Sequence, residues 1–191
     1  IVPVATFKQH MKMLHDSGYH TILPDQLMGY LLRGESLPSK PIMLTFDDAT
    51  LSQYENALPE LDKNGFKSVF FIMTVVLGRP NYLTRDQVKE IDKRGHVIGC
   101  HTWDHHMVTK YKEDDWKVQV EKPRSVLEGI IGHPVNYFAY PFGLWNTNAV
   151  AHIKQYKFTA AFQLALKMDK EDPIYTIRRI TIEKNDIILK V

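Results

Sequence analysis

The chain has 191 residues and 44% hydrophobic content, enough to bury one substantial core but short for two domains. Its 24 Lys and Arg residues exceed its 22 Asp and Glu residues by only two, and the charges are scattered, which argues against a nucleic-acid-binding surface. No stretch approaches the ~20 apolar residues of a membrane span, and the single Cys100 cannot form an internal disulfide.

The sequence begins at Ile1 without an initiator methionine, as expected for a processed or trimmed segment. We therefore expect residues 1–191 to form one domain from a longer chain cut at one or both ends, with any export signal lying outside this segment. The sequence does not indicate the oligomeric state.

Helix and strand patterns alternate along the chain. Capping residues, apolar spacing and terminal glycines predict helices over residues 6–17, 25–32, 52–64, 84–94, 113–131 and 147–156. Apolar runs predict strands over residues 19–23, 41–46, 68–73, 96–100, 137–140, 159–164 and 176–182. The strands are rich in Val, Ile and Phe, which is typical of a parallel sheet covered by helices, either a barrel or an open sheet.

Candidate functional motifs follow three of these strands. Asp47 and Asp48 end the second strand, His101 and His105 follow the fourth, and Pro141-Phe142-Gly143 follows the fifth. Because loops after the carboxyl ends of parallel strands gather on one face, these motifs are expected to converge.

Paired carboxylates and a His-x-x-x-His pair are typical of a catalytic metal site. A carboxylate and two neutral imidazoles suit zinc, with cobalt or nickel as alternatives, and three protein ligands leave a position open for water. A second carboxylate can then accept a proton from that water. Taken singly, an Asp-Asp pair can be a turn or helix cap and a His pair can be a surface feature.

Aromatic side chains accompany the same motifs, and aromatic faces commonly stack on sugar rings. The candidates for substrate contact are Trp103, Tyr140, Phe142 and Trp145. Each can equally be a packing residue of the core or of a loop.

Three motifs resemble those of the polysaccharide deacetylase family, carbohydrate esterase family four: Thr45-Phe46-Asp47-Asp48, His101-Thr102-Trp103-Asp104-His105 and Phe138-Ala139-Tyr140-Pro141-Phe142-Gly143. The segment around Phe7 to Tyr19 is similar to one that precedes the catalytic strand in deacetylases of bacterial exopolysaccharide, poly-N-acetylglucosamine.

The resemblance implies a distorted (β/α) barrel of about seven strands that removes N-acetyl groups from N-acetylglucosamine units of a polysaccharide outside the cytoplasm, in the cell envelope or extracellular space. By position, it implies Asp47 as the general base and Asp48, His101 and His105 as metal ligands. It also implies that the backbone N–H of Phe142 stabilises the oxyanion, within a loop shaped by Pro141 and Gly143.

The chain departs from the family pattern at several positions. Ala49 replaces the usual Gly, and Ala139 replaces an Arg that pairs with the base, so Arg178 or Arg179 is a candidate substitute. The late His that serves as general acid has no counterpart, since the last histidine is His152.

Several alternatives stay open. His106 competes with His105 as the metal ligand. The substrate can instead be peptidoglycan or a chitin oligosaccharide, and the chain can instead be a carbohydrate-binding homologue with impaired catalysis. A purely structural metal site would need a fourth ligand, for which the sequence offers no suitable spacing.

Overall fold

The protein was analysed as a computed structural model, which describes residues 2–164 and 167–183. The helices are α1 (Val4–Asp16), α2 (Pro24–Arg33), α3 (Leu58–Lys63), α4 (Arg85–Lys93), α5 (Glu113–Trp116), α6 (Lys122–Ile131) and α7 (Thr147–Gln155). The strands are β1 (His20–Thr21), β2 (Pro41–Ile42), β3 (Leu44–Asp47), β4 (Ser68–Ile72), β5 (Val97–Cys100), β6 (Tyr137–Ala139), β7 (Ala160–Gln163) and β8 (Ile177–Arg178).

Six of the strands form one fully parallel sheet in the order β3-β4-β5-β6-β7-β8. β1 and β2 form a separate parallel pair. Strand order that follows chain order, with α-helices between successive strands from β3 to β7, curls the sheet in one direction, as in a barrel. The predicted (β/α) barrel class is therefore confirmed, with six strands in the main sheet of the described residues instead of seven.

The core has two parts because successive strand residues point to opposite faces of the sheet. Phe70 faces outward and packs in the larger cluster with helix residues such as Leu58 and Leu127. Its neighbour Phe71 faces inward and packs in a smaller cluster, which Met28 of α2 joins. The sheet is thus buried on both faces, which explains its continuous apolar strands.

The predicted strand over residues 41–46 is wrong as a single element. Pro41 and Ile42 pair with β1, whereas Leu44 to Asp47 pair with β4, so the run changes partner at Met43. The predicted strand over 176–182 is also shorter, since only Ile177 and Arg178 pair with β7. An apolar run shows that a segment is buried but does not show which strand it pairs with.

One predicted helix cap is confirmed, and two predicted helix starts are wrong. Thr84 caps α4 as predicted: its Oγ1 accepts from the Gln87 N–H at 3.2 Å, and Gln87 Oε1 accepts from the Thr84 N–H at 2.8 Å. α1 and α2, however, begin earlier than their predicted caps, after Pro3 and Leu23. Proline or another extended residue can precede a helix without a side-chain cap.

Within the described ranges, none of the helices combines the length and the hydropathy that a transmembrane segment requires.

Candidate active site

The turn after β3 separates two adjacent carboxylates. Asp47 is the last residue of β3, and the chain then takes two left-handed residues, Asp48 with φ 74° and Ala49 with φ 59°. This sharp turn directs the two carboxylates into different surroundings. It also shows why a Gly is usual at the position of Ala49, since a side chain there is strained.

Asp48, His101 and His105 bring three ligand atoms together. Asp48 Oδ1 lies 3.6 Å from His101 Nε2 and 3.6 Å from His105 Nε2, and one ligand atom from each residue lies within 4.8 Å of the others. The two histidine rings are in edge contact, with centroids 4.8 Å apart. His101 comes directly after β5, and His105 is reached through a loop with left-handed backbone at Thr102 and His105.

The three side chains fit a divalent cation. Ligands about 2.1 Å from a tetrahedral ion are about 3.4 Å apart, close to the two 3.6 Å separations. Asp48 Oδ1 is buried and has no hydrogen-bond partner among the described residues, as expected of an atom reserved for a cation.

Both imidazoles turn Nε2 towards the Asp48 carboxylate. His101 Nδ1 lies 2.7 Å from the Ala139 carbonyl oxygen, which can only accept a hydrogen bond, so Nδ1 carries a proton and Nε2 is the nitrogen that remains to bind a cation. Burial, helped by His101, lowers the pKa of His105, which favours its neutral form. The sequence had left His106 as a competing ligand. Its side chain is 75% exposed and bonds Asp104 Oδ1 at 2.9 Å, outside the three-ligand cluster.

Asp47 is held by an arginine from the far end of the sheet. Arg179 Nη1 donates to Asp47 Oδ1 at 2.7 Å, and Nη2 donates to Oδ2 at 2.8 Å. Arg179 Nη1 also donates to Thr45 Oγ1 at 3.1 Å. Of the two candidate arginines, Arg179 therefore contacts Asp47, and Arg178 is exposed. This bidentate pair fixes the carboxylate plane beside His101, whose Nε2 is 3.9 Å from Asp47 Oδ2.

The same contacts determine the charge of Asp47. Burial alone would raise the pKa of this carboxyl, but His101 and the Arg179 guanidinium outweigh burial and lower its pKa below the ordinary value. Asp47 is therefore an ionised hydrogen-bond acceptor at neutral pH.

The third motif forms a tight turn next to the cluster. Residues Pro141–Gly143 make one tight turn in which Phe142 and Gly143 adopt left-handed backbone, with φ 59° and φ 65°. The Gly143 and Leu144 N–H groups donate to the Tyr140 and Pro141 carbonyls. The Phe142 N–H lies in the middle of this turn.

The aromatic candidates divide into exposed and buried residues. Phe142 is 52% exposed and contacts the His105 ring with centroids 4.4 Å apart, and Trp103 is 42% exposed. Tyr140 is fully buried against Phe138, and Pro141 is also buried. Their proposed contact with substrate is therefore corrected to support of the turn.

Trp145 is partly buried against the larger core cluster. The last histidine, His152, lies within α7 and stacks on Trp116 with ring centroids 4.3 Å apart. His152 is thus a packing residue and not a member of the three-ligand cluster.

The sequence did not indicate two residues that support the position of Asp47. The Thr45 hydroxyl shares Arg179 with Asp47, and Gln53 Nε2 donates to the Asp47 carbonyl oxygen. Thr45 could have been found from strand alternation, because it lies two residues before Asp47 on the same face. Nothing local in the sequence indicates Gln53.

The family model for polysaccharide deacetylases matches residues 34–161, well over half of the chain. The chain belongs to this family. The matched range covers both carboxylates, both clustered histidines and the third-motif turn.

Individual relatives agree with this assignment. The chain is 27% identical over 198 residues to a poly-beta-1,6-N-acetyl-D-glucosamine N-deacetylase of Staphylococcus aureus, covering 95% of this chain and 67% of that protein. It is 31% identical over 103 residues to a peptidoglycan-N-acetylglucosamine deacetylase of Bacillus cereus, covering 53% of this chain and 36% of that protein.

The fold of this deacetylase-family chain matches a solved structure of the Streptococcus pyogenes deacetylase PplD in complex with acetate. The TM-score is 0.90 at 23% identity, over 97% of this chain and 83% of that one. The chain spans only 36% to 52% of the length of three of its curated relatives.

Proposed function

We propose that this chain is the catalytic part of a metal-dependent hydrolase that removes N-acetyl groups from N-acetylglucosamine units of a polysaccharide and releases acetate. The observation that carries the proposal is the ionised Asp47 carboxylate, oriented by Arg179 and lying beside a cluster of three ligand residues, which would leave a tetrahedral ion one position for water. A protein that only binds sugar has no need of such an unliganded base.

Asp48, His101 and His105 would hold the metal, which we propose to be Zn²⁺, with Co²⁺ or Ni²⁺ as alternatives. When bound, such an ion makes water more acidic and polarises a carbonyl oxygen.

The protein's own groups would supply the remaining chemistry. Asp47 would accept the proton of the attacking water, with Arg179 and Thr45 keeping its oxygens in place. The Phe142 N–H would donate to the oxygen that gains negative charge, and one such donor is typically worth about 10²–10³ in rate. The exposed Phe142 and Trp103 rings would stack on the sugar.

We propose poly-β-1,6-N-acetylglucosamine as the substrate, because the Staphylococcus aureus relative that carries this name aligns with 95% of the chain. Peptidoglycan is the second candidate, supported by the Bacillus cereus relative. Both polymers place the enzyme in the cell envelope or the extracellular space.

Acetate release from metal-loaded protein tests the proposal. Asp47→Asn should retain metal and lose turnover, because the amide cannot accept the proton, whereas His101→Ala should lose both. Acetate assays and metal titration would be run on β-1,6-linked oligomers and on peptidoglycan fragments, with a chelator control. Equal turnover in Asp47→Asn and the parent would remove Asp47 as the base.

A further inference from the structure

Within the described part of the main sheet, β8 is the shortest strand, yet it delivers Arg179 to the candidate active site. It contains only Ile177 and Arg178, so two arginines are adjacent at its end. Because successive strand residues point to opposite faces, a slip of β8 by one residue along β7 would put Arg178 in the place of Arg179. Charge alone therefore does not select which arginine reaches Asp47, and other contacts must fix the register of β8.

Gln163, the last residue of β7, makes contacts on both sides of β8. Its carbonyl oxygen accepts from the Arg179 N–H at 2.8 Å. Its side-chain Nε2 donates to the Thr176 carbonyl oxygen at 3.1 Å and, over a longer 3.4 Å, to the Lys167 carbonyl oxygen. Gln163 thus holds the residue just before β8 with its side chain and the residue just after β8 with its backbone.

Packing does not account for an amide at this position. The other three residues of β7 are apolar and buried, and Gln163 is fully buried beside them. Its Oε1 has no hydrogen-bond partner among the residues that the structure describes. Since a buried polar atom without a partner costs stability, the Gln163 side chain is better explained by the backbone that its Nε2 holds.

The contact that depends on this arrangement is short and directional. Arg179 donates to both carboxylate oxygens of Asp47, at 2.7 and 2.8 Å, so a shift of about 1 Å would break the bidentate pair. The Arg179 side chain is only 9% exposed and lies over the Phe71 ring, which leaves it little freedom to follow such a shift. The position of its backbone therefore decides whether the pair forms.

We propose that Gln163 is a positioning residue for the catalytic base: by holding the Thr176 carbonyl it fixes the register of β8 and so places Arg179, and not Arg178, against Asp47. The inference rests on the proposed function and adds to it a residue that acts on the reaction through Arg179.

Gln163→Met tests the inference, because it keeps the approximate size of the side chain and removes the donor. On an N-acetylglucosamine oligomer it should lower kcat about tenfold, with KM and metal affinity within about twofold of the parent, since the base loses its orientation. In an Arg179→Gln background the same substitution should change kcat by less than about twofold, because the group that it positions is already absent. An equal loss of kcat in both backgrounds would show a purely structural role and overturn the proposal.

Lys154→Gln is the matched control. Lys154 Nζ donates to both carboxylate oxygens of Asp172, at 2.7 and 2.8 Å, and so fastens the connection between β7 and β8 to α7 instead of to a strand. Its kcat should equal that of the parent, and a loss as large as that of Gln163→Met would contradict the proposal. Gln163→Asn, whose amide is one methylene shorter, should show the same pattern as Gln163→Met and replaces it if that variant does not fold.

Failure of this inference can be distinguished from failure of the proposed function. Absence of acetate release from every substrate by the parent would contradict the deacetylase proposal. Denaturant titration of the parent, Gln163→Met, Arg179→Gln and the double variant would then decide the inference. A combined change in the unfolding equilibrium constant that differs at least about threefold from the product of the two single changes supports it, and changes that simply multiply refute it.

Discussion

Asp47 pairs with an arginine that comes from a different position than the family pattern implies. Ala139, where the family resemblance implies an arginine, is fully buried and supplies only its carbonyl oxygen to His101. The guanidinium comes instead from Arg179, which also lies over the Phe71 ring at 5.1 Å. The charge and the bidentate geometry are kept although the residue that supplies them has changed position.

Arg179→Gln should lower kcat about 10²-fold, because Asp47 loses its orientation, while metal affinity stays the same. The kcat of Arg179→Lys should lie between those of the parent and of Arg179→Gln, since an ammonium keeps the charge but not the paired hydrogen bonds. Steady-state kinetics and metal titration measure both effects. Arg178→Gln is the matched control, and a kcat for Arg179→Gln within twofold of the parent would contradict the positioning role.

Ala49 adopts a strained, left-handed backbone conformation. It is fully buried and has φ 59°, so a larger side chain would combine a steric clash with an unfavourable backbone. Ala49→Val should lower the free energy of unfolding by at least about 2 kcal/mol. Ala49→Gly relieves the backbone but removes a buried methyl, so its change should stay within about 1 kcal/mol. Denaturant titration measures the free energy of unfolding of both variants. Equal losses in Ala49→Val and Ala49→Gly would contradict backbone strain at this position.

At the scale of elements, two helices widen just before a proline. π-helical turns span Gln53–Ala57 and Lys117–Glu121, and each precedes a helix with proline in its first turn, Pro59 or Pro123. A proline ring clashes with the carbonyl four residues earlier, which explains the widening. The first of these turns carries Gln53, whose Nε2 donates to the Asp47 carbonyl oxygen.

The third-motif turn depends on Gly143. A Cβ at this position would come within 2.2 Å of Leu164 Cβ and 2.4 Å of the Leu164 backbone nitrogen, and φ is 65°. Gly143→Ala should therefore displace the turn with the Phe142 N–H and lower kcat at least tenfold, with metal binding retained. Kinetics with metal titration check this. Gly129→Ala, where nothing lies within 4 Å of the added Cβ, is the control. Unchanged kcat in Gly143→Ala would argue against the turn as an oxyanion site.

At the scale of the whole molecule, the two outer strands of the sheet are joined by side chains. β3 and β8 occupy opposite ends of the strand order, yet Arg179, just after β8, bonds Thr45 and Asp47 of β3. The candidate active site therefore lies where the two edges of the curled sheet approach each other.

His96 makes the stability of the whole fold depend on pH. It is buried, its Nδ1 accepts from the Ser68 N–H at 3.1 Å, and burial lowers its pKa to about 4. Since an unfolded His titrates near 6.5, the unfolded chain binds more protons between these values, and stability falls as pH falls from about 6.5 towards 4. His96 should account for a loss of about 2 kcal/mol between pH 7 and pH 5.

Denaturant titration of the metal-free protein at both pH values measures this loss. His96→Asn can still accept the Ser68 N–H but does not titrate, so its stability should depend less on pH by the same amount. A parallel pH dependence in the two proteins would show that His96 is not responsible.

The sequence by itself determined the alternation of strands and helices, the family, and the group of Asp47, Asp48, His101 and His105, because apolar runs and short motifs are local properties. Only the tertiary structure decided that Arg179 pairs with Asp47, that Tyr140 is buried while Phe142 is exposed, and that His106 points away from the cluster. These features depend on which strands curl towards each other and on left-handed turns, and such long-range contacts leave no periodic pattern in the chain.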